Sequence, residues 1–284
     1  MSRFVEGWDD LFARNEAQVP GIDAWLIHST QRPSRMAPEA APILSTVLLS
    51  PARDALTRAA WQALRRAFVF ARVEHVRFEG ANAVAALESC LQDLPQLTQA
   101  IVHAPEDCQD EVVSQIGAVL SRVGALLSVL VTTDDGPFGS TPFHGRIRAE
   151  VGALARTALS ALMMFQSLDA SAEMACLDTQ DVRSVLGETA DSVRLVEALW
   201  RSSDKSLVFC EPEDIALVAA AHAIWVSIDA WTTSVQEAHE IWTTYPIKVN
   251  SANQCRELVV NLPLHQWYTT ALASPLARVR ILCR

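Results

Sequence analysis

Thr132, Asp134, Asp135, Gly136, His144 and Arg146 fall in one short stretch, together with Gly139 and two prolines, Pro137 and Pro142. Two carboxylates beside an imidazole are what an acid–base pair or a divalent metal would use. The stretch follows Leu126–Val131, an apolar run of the kind that forms a central strand buried on both faces. In open α/β sheets the loop at the carboxyl end of such a strand is a usual ligand site. The plainer reading is that aspartates before a glycine simply make a turn, and it is favoured. His103 and Cys108 make a second conceivable pair, although a cysteine in a first helical turn is ordinarily just packed. His239 and Glu240 are adjacent on a predicted helix and point in different directions, so no metal site is expected there. No G-x-S-x-G elbow is present.

The elements that must position these residues follow from periodicity. Phe4, Trp8, Leu11 and Phe12 recur at helical spacing, predicting an amphipathic helix over 2–17. It either folds back on its own domain or docks a partner through Phe4, Trp8 and Phe12. Strands are expected at 22–29, 43–49, 73–78 (edge-like), 98–104 and 123–133. Helices are expected from Pro51, over 80–91 and 105–122, and over a long span of 146–167. This alternation indicates a parallel, helix-covered, Rossmann-like sheet. After Asp178 the pattern changes: a helix over 179–200, a strand at 206–210, a helix from Glu211 to Ala223, a strand at 224–229, a helix over 233–242, then short strands near 246–250, 257–262 and 277–283. The expected organisation is an N-terminal helix (1–20), a Rossmann-like α/β subdomain (21–177) and a smaller α+β C-terminal subdomain (178–284). Trp225, Trp231, Trp242 and Trp267 gather in the last of these; Trp231 begins a turn and is the candidate interface anchor.

Composition narrows the function. The 284 residues are half apolar and carry a formal net charge of −10, which disfavours nucleic acid and anionic membrane as partners. There is no signal-like apolar segment and no apolar span of membrane-crossing length. The six cysteines form no C-x-x-C pair and read as buried thiols of a cytoplasmic protein.

Several stretches, in order, resemble the tubulin/FtsZ superfamily. Gly80-Ala81-Asn82-Ala83-Val84 sits where FtsZ has G-A-x-A-N-P-x-x-G opening a helix. Gly124–Thr132, then Pro137-Phe138 and Gly145–Arg148, resemble G-x-L-T-V-x-V-V-T-x-P-F followed by a G-x-x-R that opens a helix. Asp178-Thr179-Gln180-Asp181-Val182-Arg183 is similar to the D-x-x-D-V-R that completes a neighbouring subunit's GTPase site, with Cys176 at the Asn position. The resemblance implies that Asp178 and Asp181 polarise water on a partner's nucleotide. The plainer reading, again favoured, is a helix start with Asp178 capping and Asp181 in the first turn.

The departures decide the expectation. Where the family has a glycine-rich phosphate loop, this chain has Ala104-Pro105-Glu106-Asp107. Proline supplies no N–H and the two acids repel phosphate, so GTP is not expected to bind in that manner. No cofactor or metal is implied. The reading is a non-enzymatic interaction or scaffold protein that associates with itself or a protein partner in a bacterial assembly. The alternative is a nucleotide- or small-ligand-binding enzyme using Thr132–Arg146.

Overall fold

The computed structural model describes residues 44–52, 71–80, 82–94, 97–133, 136, 143–165, 179–187, 193–201, 204–209, 211–229, 241, 257–261 and 276–284. The helix expected at 2–17, the strands at 22–29 and 246–250, most of the helices expected from Pro51 and over 233–242, and Trp231 lie outside these residues, as do Phe4, Trp8 and Phe12.

The strands are β1 (Leu44–Pro51), β2 (Ala71–Phe78), β3 (Leu97–Ala104), β4 (Leu127–Thr132), β5 (Gly145–Arg148), β6 (Val193–Arg201), β7 (Ser206–Phe209), β8 (Ala223–Asp229), β9 (Glu257–Asn261) and β10 (Leu276–Cys283). The helices are α1 (Asn82–Gln92), α2 (Asp110–Arg122), α3 (Leu154–Phe165, entered through a 3-10 turn at Val151–Ala153), α4 (Thr179–Leu186) and α5 (Asp214–Ala220). All ten strands join one sheet in the order β2-β1-β3-β4-β5-β6-β10-β8-β9, with β7 on β6. From β2 to β6 the pairing is parallel. It turns antiparallel where β10 inserts between β6 and β8, and β8 and β9 are again parallel. This is a mixed α/β fold, its sheet mainly parallel and flanked by helices.

Strand composition explains the layering. β3 and β4 are buried along their whole lengths, as strands covered by helices on both faces must be. One face carries a single core across the sheet. It includes Ile101, Val129, Val131, Ile147, Val193, Trp225 and Leu282, covered by α3 and α4. The other face carries two separate cores. One joins Val47, Leu49, Ala100, Val102 and Leu130 to α1 and α2. The other joins Val196, Ala198, Trp200, Val226 and Ile281 to Val218 of α5. On this second face β5 lies between them, and its residues there are Arg146 and Arg148.

Two expectations need correction. Gly145–Arg148 opens no helix; it is β5, paired to β4 from Val129↔Gly145 to Thr132↔Arg148. Its alternation places Ile147 in the core and the arginines on the opposite face. Glycine is required at its start, because a Cβ there would stand 2.8 Å from Leu186 Cβ, so α4 packs directly on the strand. The helix expected over 146–167 therefore begins only after the strand. The helix expected over 179–200 likewise stops at Leu186. Gly187 takes φ +74° and donates its N–H to Arg183 O at 3.0 Å, a left-handed stop. Val193–Arg201 is strand β6 instead.

Candidate functional site

β1 has parallel neighbours on both sides, β2 and β3. The connections therefore diverge at its carboxyl end, the position where doubly wound sheets open a crevice. Ser50 and Pro51 end β1, Ala104 ends β3, and Thr132 ends β4. Beneath this edge lies a pair that no motif in the sequence signalled. Ser50 Oγ and His75 Nε2 are 2.7 Å apart. Burial, then the charges of Arg77 and His103, lower the His75 pKa to about 4. An imidazole so reluctant to take a proton is a poor general base at neutral pH, and the pair reads as a hydrogen bond of the sheet's interior. The sequence reading placed residue 75 only within an alternating, edge-like strand.

The stretch from Thr132 to Arg146 does not converge. β4 and β5 are parallel, so the connection must run back along the whole sheet before β5 can start. Thr132, buried, ends β4 at one edge. Gly136 folds over it: a Cβ there would stand 1.9 Å from Thr132 Oγ1 and 3.1 Å from Thr133 Oγ1, so only glycine allows the turn. His144 lies at the other edge, beside the start of β4, where Ser128 N–H donates to its Nδ1 at 3.0 Å and its own N–H donates to Ser128 O at 2.8 Å. Arg146 lies mid-strand on the second face, with Asp110 as its acidic neighbour. Asp134 and Asp135 lie outside the described residues.

At the His144 edge the structure joins two motifs read separately. Arg183 of α4 reaches both His144 Nε2, at 2.9 Å, and Leu126 O. Burial, then the Arg183 charge, hold His144 below its usual pKa; with Nδ1 accepting from Ser128, the neutral ring carries its proton on Nε2, and it is the Arg183 bond to Leu126 O that ties α4 to the start of β4. Asp181 stands half-buried in the first turn of α4; Asp178 lies outside the described residues. Cys108 packs with the second-face core, whereas alternation along β3 turns His103 to the first face with Ile101. That places the two on opposite sides of the sheet. Among the described residues no group of three His, Cys, Asp or Glu could hold a metal ion, and no helix is long and apolar enough to cross a membrane.

The titrations have a testable consequence. His75 has a folded pKa of about 4 against an ordinary 6.5, so the unfolded chain takes the proton first. Its contribution is complete above about pH 6.5 and is lost as pH falls towards 4, on the order of 3 kcal/mol in all. Asp214, on α5, has the opposite sign. Burial, then Glu211 and Glu213, raise its pKa from 3.8 to about 6; its contribution is present below pH 4 and is lost as pH rises to 6, damped by solvent screening. Denaturant titrations should therefore show the two opposing each other between pH 4 and 6. Asp214→Asn should expose a steady loss of stability on acidification, and His75→Gln should expose a gain. The same profile in both variants would refute the assignment.

No protein-family model matches the chain, and no curated protein matches it. Solved structures of similar chain path include an FtsZ mutant of M. jannaschii, at a TM-score of 0.49 and 10% identity, covering 84% of this chain and 90% of that one. An empty FtsZ dimer of M. jannaschii gives 0.48 and 10%, covering 92% and 91%. A TubZ protofilament of Bacillus thuringiensis serovar israelensis gives 0.45 and 8%, covering 91% and 90%. The likeness is one of overall chain path and assigns no residue a role.

Proposed function

We propose that this chain is a non-enzymatic, cytoplasmic interaction protein built on a tubulin/FtsZ-like plan, acting by self-association or by binding a protein partner in a bacterial assembly. The observation that carries the reading is the connection from β3 to α2, next to the strand where the connections diverge. A phosphate cradle there would need open backbone N–H groups at the helix start. The connection instead runs Pro105-Glu106-Asp107-Cys108-Gln109, and Asp110 and Glu111 occupy the first turn of α2. Proline removes one donor, and four exposed carboxylates oppose a triphosphate.

Association is supported by the contrast between the sheet's two edges. The α2 start is acidic. The opposite edge exposes Val123 (42%) and Leu126 (39%) beside the exposed Arg183, a mixture of apolar surface and positive charge suited to a protein contact. The alternative, an enzyme using Thr132–Arg146, is weakened by the separation of His144 from Thr132 along β4.

Calorimetry with GTP or ATP and magnesium should show no micromolar binding, and sedimentation velocity without nucleotide should show association that Glu106→Lys and Asp107→Lys alter. Micromolar GTP binding would overturn the non-enzymatic reading. A strictly monomeric protein would transfer the proposal to a hetero-partner, sought by pull-down with the Arg183→Glu variant as control.

A further inference from the structure

Among the described residues the exposed large apolar side chains are Val123, Leu126, Val151, Ile215 and Leu217. Exposed apolar residues taken singly are ordinary, and charge is what separates these. Val151 and Ile215 follow Glu150 and Asp214, which lie near each other and near Glu211 and Glu213, with Arg156 opposing them. Val123 and Leu126 instead flank the turn from α2 to β4, beside Arg183. Arg122 there is engaged by Glu88 and Asp181 is half-buried, so the charge this edge presents is that of Arg183. Both its contacts, to Leu126 O and His144 Nε2, use Nη2, and a five-donor fork has further N–H groups for a carboxylate.

The chain itself supplies a match. Thr46, Gln99 and Leu127 lie on one rung, so β1 starts at this same edge, about 10 Å or two strand spacings from Leu126. Ahead of β1, residues 2–17 carry the stripe Phe4, Trp8, Leu11 and Phe12, which as a helix needs an apolar surface to lie on. On a helical period Asp9 and Glu16 share one flank of that stripe, and the segment holds four acids against two arginines. The stretch from 18 to 43 can span about 85 Å when extended, and such a tether holds the segment at roughly millimolar effective concentration.

We propose that residues 2–17 lie as a helix on the Val123–Leu126–Arg183 edge of their own chain. Phe4, Trp8 and Phe12 cover the two apolar side chains, and Asp9 and Glu16 face Arg183. The acidic edge at Glu106, Asp107, Asp110 and Glu111 repels the same segment, as does the neighbourhood of Glu150 and Asp214. The consequence rests on the association surface proposed above: the segment regulates that edge, because a second copy must displace it to dock.

The test is hydrogen–deuterium exchange of the full chain over a range of concentrations, paired with sedimentation velocity. At low concentration, amides of residues 2–17 and 121–127 should be protected in the wild type. Trp8→Ala with Phe12→Ala should speed exchange in both segments roughly tenfold and bring association to lower concentration. Arg183→Glu should speed it severalfold, and adding Asp9→Lys with Glu16→Lys should restore protection, which a merely structural role of Arg183 would not allow. Exchange that ignores these substitutions overturns the docking. Protection that appears only as concentration rises also overturns it, and puts the segment on a second copy. In a chain that associates, faster exchange with unchanged association overturns the regulatory role. Faster exchange in a chain that is monomeric throughout upholds the docking and overturns self-association instead.

Discussion

Arg280→Met is expected to destabilise the protein by about 3–5 kcal/mol, a fall in melting midpoint on the order of 10 °C for a chain of this size. Arg280 is 2% exposed, among the largest fully buried side chains, and its Nε donates to Ser160 Oγ at 3.1 Å and lies 3.7 Å from Glu197 Oε1. Ser160 in turn donates to Glu197. The three groups come from α3, β6 and β10. Removing the guanidinium strands a carboxylate in an apolar interior, where the cost is set by desolvation rather than by the lost contact. Glu197→Met should cost a similar amount for the mirrored reason. The double variant is the discriminating measurement: with both charges gone it should recover most of the loss. A double variant as unstable as the sum of the singles would show that packing, not ionic pairing, governs the site.

The second large effect is at Trp225. Trp225→Ala should cost about 3–5 kcal/mol in chemical denaturation. The indole is fully buried on β8 and stacks on Phe165 of α3, ring centroids 5.2 Å apart at 24°. Truncation leaves a cavity that two rigid elements cannot close. Trp225→Phe should cost much less, since it keeps an aromatic face against Phe165, and the indole N–H has no hydrogen-bond partner to lose among the described residues. Equal losses in the two variants would mean that neither a retained aromatic face nor its volume stabilises the site, and would overturn the assignment.

Both predictions concern contacts that the sequence could not announce. Apolar runs bounded by turn residues led correctly to β1, β3, β4, β7, β8, β9 and β10, and the helices expected from Pro105 and Glu211 are present but begin later, at Asp110 and Asp214. Legibility failed where charge entered the sheet. Gly145-Arg146-Ile147-Arg148 has too few apolar residues to look like a strand, because its second face looks into the arginine seam rather than into a core. Val193–Arg201 contains Leu, Glu and Ala, good helix formers, with its charges spaced as on a helix face. Its distant partners Arg280 and Ser160 make Glu197 acceptable inside a strand. Gly187 was the available signal, a left-handed stop directly after the α4 pattern. The candidate site was legible as a composition and not as a geometry: nothing local says that a loop between parallel strands must carry His144 away from Thr132.

The two faces of the sheet also differ in how they would resist bending. Among the described residues, β5 and β6 are joined at two paired positions, Ile147↔Val193 and Arg148↔Arg194. On one side of that narrow junction a continuous apolar layer, from Ile101 to Trp225, would have to tear before the sheet could open. On the other side α2 and α5 stand over separate layers with arginines between them. Flexing towards that side changes only the width of a polar seam. The physical expectation is a sheet that yields more readily towards the arginine side than towards the apolar one.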